Sequence, residues 1–242
     1  MKKILTIILL CCSLLCVCVF SACGESSSTA NSTPGEFKES TDPNETTPNS
    51  YFRFNLLENG TYEIFARYHD MPNRLVIPSS YNGKSVTKIG DTFGGNTEND
   101  CLNRSVEEIV LPNTITEIGK YAFFYYSSLR SVTIPSSVQT IGALSFAGCG
   151  ELESITIPDG VRSLDQSFYR CTKLVSVTIP ASMESFDYST FGFCESLISI
   201  TFKGTKAQWN AIEKYSSSND GLWNRSTGNY TIHCTDGDIA KE

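Results

Sequence analysis

The sequence predicts an α/β-type repeat solenoid, mostly β, and three observations predict it. Four segments repeat one pattern: Leu129-Arg-Ser-Val-Thr-Ile-Pro135, Leu152-Glu-Ser-Ile-Thr-Ile-Pro158, Leu174-Val-Ser-Val-Thr-Ile-Pro180 and Leu197-Ile-Ser-Ile-Thr-Phe202. Their starts lie 23, 22 and 23 residues apart, and self-similarity at such a period marks stacked units. The flanks break the pattern with a hairpin signal on one side and a helix-plus-strand signal on the other.

Taken in order, the chain opens on Met1-Lys2-Lys3 and a 17-residue apolar run, Ile4 to Phe20. Phe20-Ser21-Ala22-Cys23-Gly24 then resembles a bacterial lipobox, with Phe20 where Leu is usual. Residues 1–22 therefore read as a lipoprotein signal peptide, and Cys23 as the lipidated residue. A retained membrane-spanning helix is the alternative, for which the run is marginal in length. Residues 23–50 read as a lipid-anchored disordered linker of Ser, Thr, Pro and Asn, with Phe37 its one aromatic. As a coil it reaches roughly 30 Å. The triplets headed by Asn31, Asn44, Asn59, Asn103, Asn224 and Asn229 fit glycosylation acceptors, but beside a lipobox they read as chance.

Residues 51–72 predict an N-terminal β-hairpin cap. Phe52-Arg-Phe54-Asn-Leu56 and Tyr62-Glu-Ile64-Phe-Ala66 alternate around Asn59-Gly60, a strong hairpin signal. Such a cap covers the open edge of a solenoid. Residues 73–202 hold the repeats. The first is irregular, with inserts around Tyr81-Asn-Gly-Lys84 and over Gly94 to Leu102. These read as length drift in a terminal repeat or as loops on a binding face.

From Val106 the pattern settles into about five units of 22–23 residues with short parallel strands. The spacing L-x-x-L-x-L is that of a leucine-rich repeat. Alternation sends Val132 and Ile134 inward and Ser131 and Thr133 outward. Each strand is followed by an apolar pair: Ile115 and Ile118, Val138 and Ile141, Val161 and Leu164, Met183 and Phe186. A phenylalanine follows at 123, 146, 168 and 191, and three residues later Tyr126, Cys149, Cys171 or Cys194. No unit can bury its apolar face alone, so stability comes from stacking.

The ten cysteines resemble a disulfide framework only until they are placed. Cys11, Cys12, Cys16 and Cys18 sit in the leader and Cys23 ends it. Cys101, Cys149, Cys171, Cys194 and Cys234 remain, an odd number at repeat spacing. Side chains on a ladder run parallel, so buried free thiols are the first reading and one disulfide the second. The spacing is unlike a zinc site.

Residues 203–234 predict a C-terminal cap. Thr205 is an N-cap candidate for a helix to Tyr215, with Trp209, Ile212 and Tyr215 on one face. Tyr230 to Cys234 reads as a last strand, and residues 235–242 as a polar tail.

The unit L-x-S-[IV]-T-I-P-x-x-[VM]-x-x-[IFL]-G-x-x-[AS]-F-x-x-C, with the close Gly204-Thr-Lys-Ala-Gln-Trp-Asn-Ala-Ile212 and Ile232-His-Cys-Thr-Asp-Gly237, resembles the BspA-like leucine-rich repeat family over residues 51 to 237. Asp165 and Asp187 stand where that family has Gly, and Tyr126 replaces Cys. The resemblance implies a surface-exposed bacterial protein with a short parallel sheet. It also implies a role in adhesion to host matrix proteins or other cells.

Catalysis finds little support. His69 and His233 bracket the domain, and no G-x-S-x-G, P-loop or H-E-x-x-H occurs. Asp165 and Asp187, one repeat apart, could suggest glycoside hydrolysis but read as turn residues. No metal and no cofactor is predicted. The net charge is -7, and loss of Lys2 and Lys3 leaves about -9. Without a basic cluster, nucleic acid is excluded as a partner, and membrane contact is expected through the lipid alone.

The outward strand columns supply the candidate binding face: Arg130, Ser131, Thr133, Glu153, Ser154, Thr156, Val175, Ser176, Thr178, Ser199 and Thr201. Thr is also simply a good exposed strand residue. The expected partner is a protein or glycan on a host or neighbouring cell surface, with a ligand-free structural spacer as a third reading. Tyr121, Tyr125, Tyr169 and Tyr188 flank the face. Clustered exposed aromatics would favour glycan, and a buried Trp209 or Trp223 would favour protein.

Overall fold

The computed structural model describes residues 46–67, 71–94, 105–186, 189–214 and 227–240. The chain enters through β1 (Phe52–Leu56), β2 (Tyr62–Ala66), β3 (Arg74–Val76), β4 (Ser80–Tyr81) and β5 (Lys84–Ile89). Paired short strands follow: β6 (Glu108–Val110) and β7 (Glu117–Ile118), β8 (Ser131–Thr133) and β9 (Thr140–Ile141), β10 (Ser154–Thr156) and β11 (Ser163–Leu164). Next come β12 (Ser176–Ile179) and β13 (Ser185–Phe186), then β14 (Ser199–Phe202) and helix α1 (Lys206–Ala211). β15 (Glu213–Lys214), β16 (Thr231–Cys234) and β17 (Gly237–Ala240) end the described chain.

Each regular unit therefore makes two strands, and each joins its own parallel ladder. The first ladder runs β3-β6-β8 and then β10-β12-β14-β16. Its register keeps like on like: Ser154 against Ser176 against Ser199, and Thr156 against Thr178 against Thr201. The second ladder runs β2-β5-β7-β9 and then β11-β13-β15. The apolar pairs expected after each strand mark this second ladder, whose two-residue strands end on Ile118, Ile141, Leu164 and Phe186.

Both ladders lose their hydrogen bonds at one boundary, between the unit of β8–β9 and that of β10–β11. Inward residues there are slightly open: Val132 and Ile134 are each 8% exposed, against 1% or less for Val177 and Ile179.

A third set of bonds crosses the break. Leu144, Phe146 and Gly148 donate backbone N–H groups to the carbonyls of Asp165, Ser167 and Tyr169. Tyr121, Phe123 and Tyr125 donate likewise to Ala143, Ser145 and Ala147, and Phe168 and Arg170 to Thr190 and Gly192. Every one of these loop bonds runs from a unit to the next. Between the ladders and the loops lies the core, a row of Phe93, Phe123, Phe146, Phe168 and Phe191 with neighbouring centroids 5.3–5.7 Å apart.

The flanks differ from the sequence reading in four places. The expected linker extends to Ser50, yet Thr47 is 5% exposed and its Oγ1 accepts from the Val76 N–H at 2.9 Å. That contact satisfies the outer edge of β3 and ties residues 46–50 to the fold. The Tyr81-Asn-Gly-Lys84 insert is itself a hairpin: β4 pairs antiparallel with β5, and Asn82 and Gly83 both take positive φ, as a type I′ turn requires. Tyr81 then stacks on Phe54 at 3.8 Å.

The helix begins where expected, with a Thr205/Gln208 capping box, but ends at Ala211 rather than Tyr215. Ile212 is extended, and the Glu213 N–H bonds the Glu184 carbonyl, so the chain joins the second ladder instead. Finally, the expected tail is not a tail. Asp236-Gly237 turns the chain and β17 pairs antiparallel with β16 through Ile232 and Ile239. The insert over Gly94 to Leu102 lies mostly outside the described residues, as do the leader, Cys23, Cys101 and His69.

Candidate functional site

The first-ladder strands place every residue of the expected binding face on one side of the core. Ser131, Thr133, Ser154, Thr156 and Thr201 are exposed, and Ser176, Thr178 and Ser199 are half-buried. Glu153 and Val175 precede their strands; Val175 donates its N–H to the Glu153 carbonyl, and Ile198 donates to Val175. Val175 and Ile198 are 38% and 58% exposed, a pair of aliphatic side chains beside the hydroxyl columns.

The ladder beneath the face is not hydrogen-bonded throughout. The break between β8 and β10 separates Arg130, Ser131 and Thr133 from the rest. Those three share a sheet with Arg74 and Glu108, which pair at 3.0 Å, and Arg130 faces Glu107 at 3.7 Å. Exposed pairs of this kind contribute under about 1 kcal/mol. The six hydroxyls from Ser154 to Thr201 form the uncharged part. At its far edge the Thr column continues into His233, whose Nδ1 lies 3.0 Å from Asp238 Oδ1. By contrast the second ladder is charged: Lys88 bridges Glu63 at 3.3 Å and Glu117 at 2.9 Å, and Arg162 pairs with Glu184.

The cysteine column is buried, and its members are free thiols. Cys149, Cys171 and Cys194 Sγ donate to the Phe123, Phe146 and Phe168 carbonyls at 3.2–3.3 Å. Burial raises all three thiol pKa values, that of Cys194 to about 12. These are unreactive structural thiols. The column does not stop with cysteine. Buried Thr227 donates its hydroxyl to the Phe191 carbonyl at 3.1 Å, the same bond one unit on. No residue pattern around Thr227 signals this, because 33 residues separate it from Cys194, against 22 or 23 between the cysteines.

The loop side carries a second candidate surface that the sequence reading named only in part. Tyr121, Phe124, Tyr125, Tyr169 and Phe193 gather there with Arg170, and Tyr121 is 40% exposed. Arg170 Cζ lies 5.6 Å from the Tyr169 centroid and 5.4 Å from that of Phe193. Trp209, in contrast, is buried against Phe186 and Phe202. Tyr188, Asp187 and Trp223 lie outside the described residues. Among the described residues no helix is long and apolar enough to cross a membrane.

The model of the BspA type leucine rich repeat region matches six copies over residues 98–219. Among solved structures, the chain is similar to a leucine rich repeat protein of T. pallidum (TM-score 0.58, 24% identity, 65% of this chain and 71% of that one). It is similar to a leucine rich cell surface protein of Faecalibacterium prausnitzii (TM-score 0.58, 27% identity, 67% and 40%). A leucine-rich repeat protein of Bacteroides ovatus is similar too (TM-score 0.55, 31% identity, 64% and 42%). The chain thus spans about two-fifths of the latter two. No curated protein matches it. With two strands per unit, a phenylalanine row, a thiol column and six matched copies, the chain belongs to the BspA-type leucine-rich repeat family.

Proposed function

We propose that the protein is a non-catalytic bacterial cell-surface lipoprotein whose first-ladder face binds a macromolecular partner, protein being the first candidate. The observation that carries this reading is the uncharged hydroxyl sheet from Ser154 to Thr201, flanked by exposed Val175 and Ile198. A flat surface of small hydroxyls and isolated aliphatics has a low desolvation cost and suits contact with another protein surface. The F. prausnitzii relative, described as a cell surface protein, supports the location. The lipobox-like run ending at Cys23 supports the anchor, and a linker of this composition lifts the domain from the membrane.

Two experiments test this. Cys23→Ala in a bacterial host is expected to release the protein into the medium; retention in the membrane fraction would refute the lipid anchor. Adhesion to immobilised matrix proteins and to cell-surface extracts is expected to be lost in Thr156→Arg/Thr178→Arg. Adhesion that survives the paired arginines would remove the strand face from the binding site.

A further inference from the structure

The two ladders begin on β3 and β1, and the chain treats those two outer edges differently. The edge of β3 is covered, with the Val76 N–H bonded to Thr47. β1 ends the second ladder, and no strand among the described residues pairs with its outer edge. The direction of its backbone groups follows from the bonds around it. Leu57 donates to the Thr61 carbonyl and Arg67 to the Tyr51 carbonyl. Bonded and open pairs alternate along an antiparallel ladder, so residues 53 and 55 bond β2 and the N–H and C=O groups of Phe54 and Leu56 turn outward. The opposite residues agree: Ile64, opposite Phe54, accepts from Gly90, and Ala66, opposite Phe52, donates to Phe93, both away from β1.

A cleft of about 350 Å³ lies at the start of this edge, lined by Asn49 and Ser50 of a 3₁₀ turn, by Arg53 and Arg67, and by Phe54 and Tyr81. Opposite residues of an antiparallel pair share a face, and the Arg53 guanidinium accordingly lies 4.7 Å from the Phe65 centroid. Arg67, two residues beyond Phe65, is on that same face. Both arginines are exposed, and among the described residues neither forms an ion pair. Glu63, also on this face, is already bonded by Lys88 and Asn55. On the other face Phe54 stacks on Tyr81 at 3.8 Å. The open edge is thus cationic on one side and aromatic on the other.

We propose that β1 is a strand-addition site for an extended segment of a partner protein in which acidic and apolar residues alternate. The main chain of that segment bonds the outward groups of Phe54 and Leu56, its carboxylates meet Arg53 and Arg67, and its apolar side chains lie on the Phe54 and Tyr81 side. At a sheet edge, main-chain bonds supply affinity and side-chain pockets supply specificity. Guanidinium–carboxylate bonds are short, directional and stronger than neutral ones, and two unpaired arginines select acid over base. A second copy of β1 would set arginines against arginines, which disfavours self-pairing. The site belongs to the second ladder, apart from the hydroxyl face of Ser154 to Thr201, so either can fail alone.

The test is titration calorimetry and hydrogen exchange on the full chain in detergent, with the peptide acetyl-Val-Glu-Val-Glu-Val-amide as probe. Binding is expected, with exchange slowed over residues 52–57. The peptide with Lys in place of Glu should not bind, nor should the acidic peptide when fully N-methylated. Arg53→Gln/Arg67→Gln, at two exposed positions, should weaken binding about tenfold or more. Leu56→Pro removes an outward N–H from an edge strand, which tolerates proline there, and should weaken binding about fivefold. Thr156→Arg/Thr178→Arg should leave it unchanged. No binding of the acidic peptide, equal binding of either control, indifference to the arginine pair, or a loss caused by the strand-face arginines would overturn the proposal. So would a dimer in sedimentation equilibrium that Leu56→Pro abolishes, since the edge would then belong to a second copy.

Discussion

The strand face and the loop face sit on the same core and are built by opposite rules. On the strand face, side chains are small, β-branched or hydroxylated, the backbone is ordinary extended chain, and each position repeats its neighbour: Thr156, Thr178, Thr201. On the loop face, six of the residues from Tyr121 to Phe193 sit at φ of 54–60°, and equivalent positions differ from unit to unit: Tyr125, Gly148, Arg170, Phe193. A strand position tolerates almost any residue that suits a pleated surface. A left-handed position restricts what can occupy it. The comparison teaches that the face with less apparent order in sequence is the more constrained in structure.

The largest effect should come from breaking what both faces share. The thiols of Cys149, Cys171 and Cys194 are buried beneath the loop face, and burial raises their pKa values. A folded pKa above the unfolded value means that the folded state holds the proton more tightly. Their stabilisation is fully present below the ordinary thiol pKa of 9.0 and is lost as pH rises toward about 12, the value for Cys194. Urea midpoints measured from pH 7 to 11 should fall above about pH 9, and less steeply in Cys171→Ala. A flat profile would show that these thiols are not buried as described.

Next in size, Phe168→Ala opens the middle of the phenylalanine row between Phe146 and Phe191, at 5.6 and 5.7 Å. A loss of about 3–5 kcal/mol in denaturant unfolding is expected. Gly148→Ala puts a Cβ at φ 78° against the Tyr125 ring and should cost about 1–2 kcal/mol. Thr156→Ala, its counterpart on the strand face, should change stability by under about 0.5 kcal/mol. Equal costs for the last two would erase the distinction between the faces. The smallest effect is expected at Ser145, whose buried hydroxyl has no hydrogen-bond partner among the described residues. Ser145→Ala should be neutral or slightly stabilising, as Ala122 at the same place in the preceding unit suggests.

The strand face was legible because a period of two, repeated every 22 or 23 residues, determines which side chains point out. The second ladder was less so. Strands such as Thr140–Ile141 are two residues long and cannot display a period. The loop face was hardest, since the sign of φ at Tyr125 or Arg170 goes with the bonds to the next unit and not with residue type. Tyr121, Tyr125 and Tyr169 could be named from the sequence, but Arg170 and Phe193 could not be joined to them. The ends show a related effect. Residues 237–240 look polar and loose, yet β16 offers them an unpaired edge and they pair with it. Thr47 is drawn into the fold by the bare edge of β3 in the same way.

The bonds between the left-handed loops, from Tyr121 to Arg170, run one way, from each N–H to a carbonyl of the following unit. Peptide dipoles joined head to tail do not cancel as they do across a sheet. They add, as in a helix macrodipole, but with the N–H end directed toward the C terminus, the reverse of an α-helix. Every repeat gained by duplication lengthens that stack. The two ends of the column are therefore electrically unlike, carbonyls turned toward the N-terminal end and amides toward the C-terminal end, and the stack acquires a polarity along its axis that grows with repeat number.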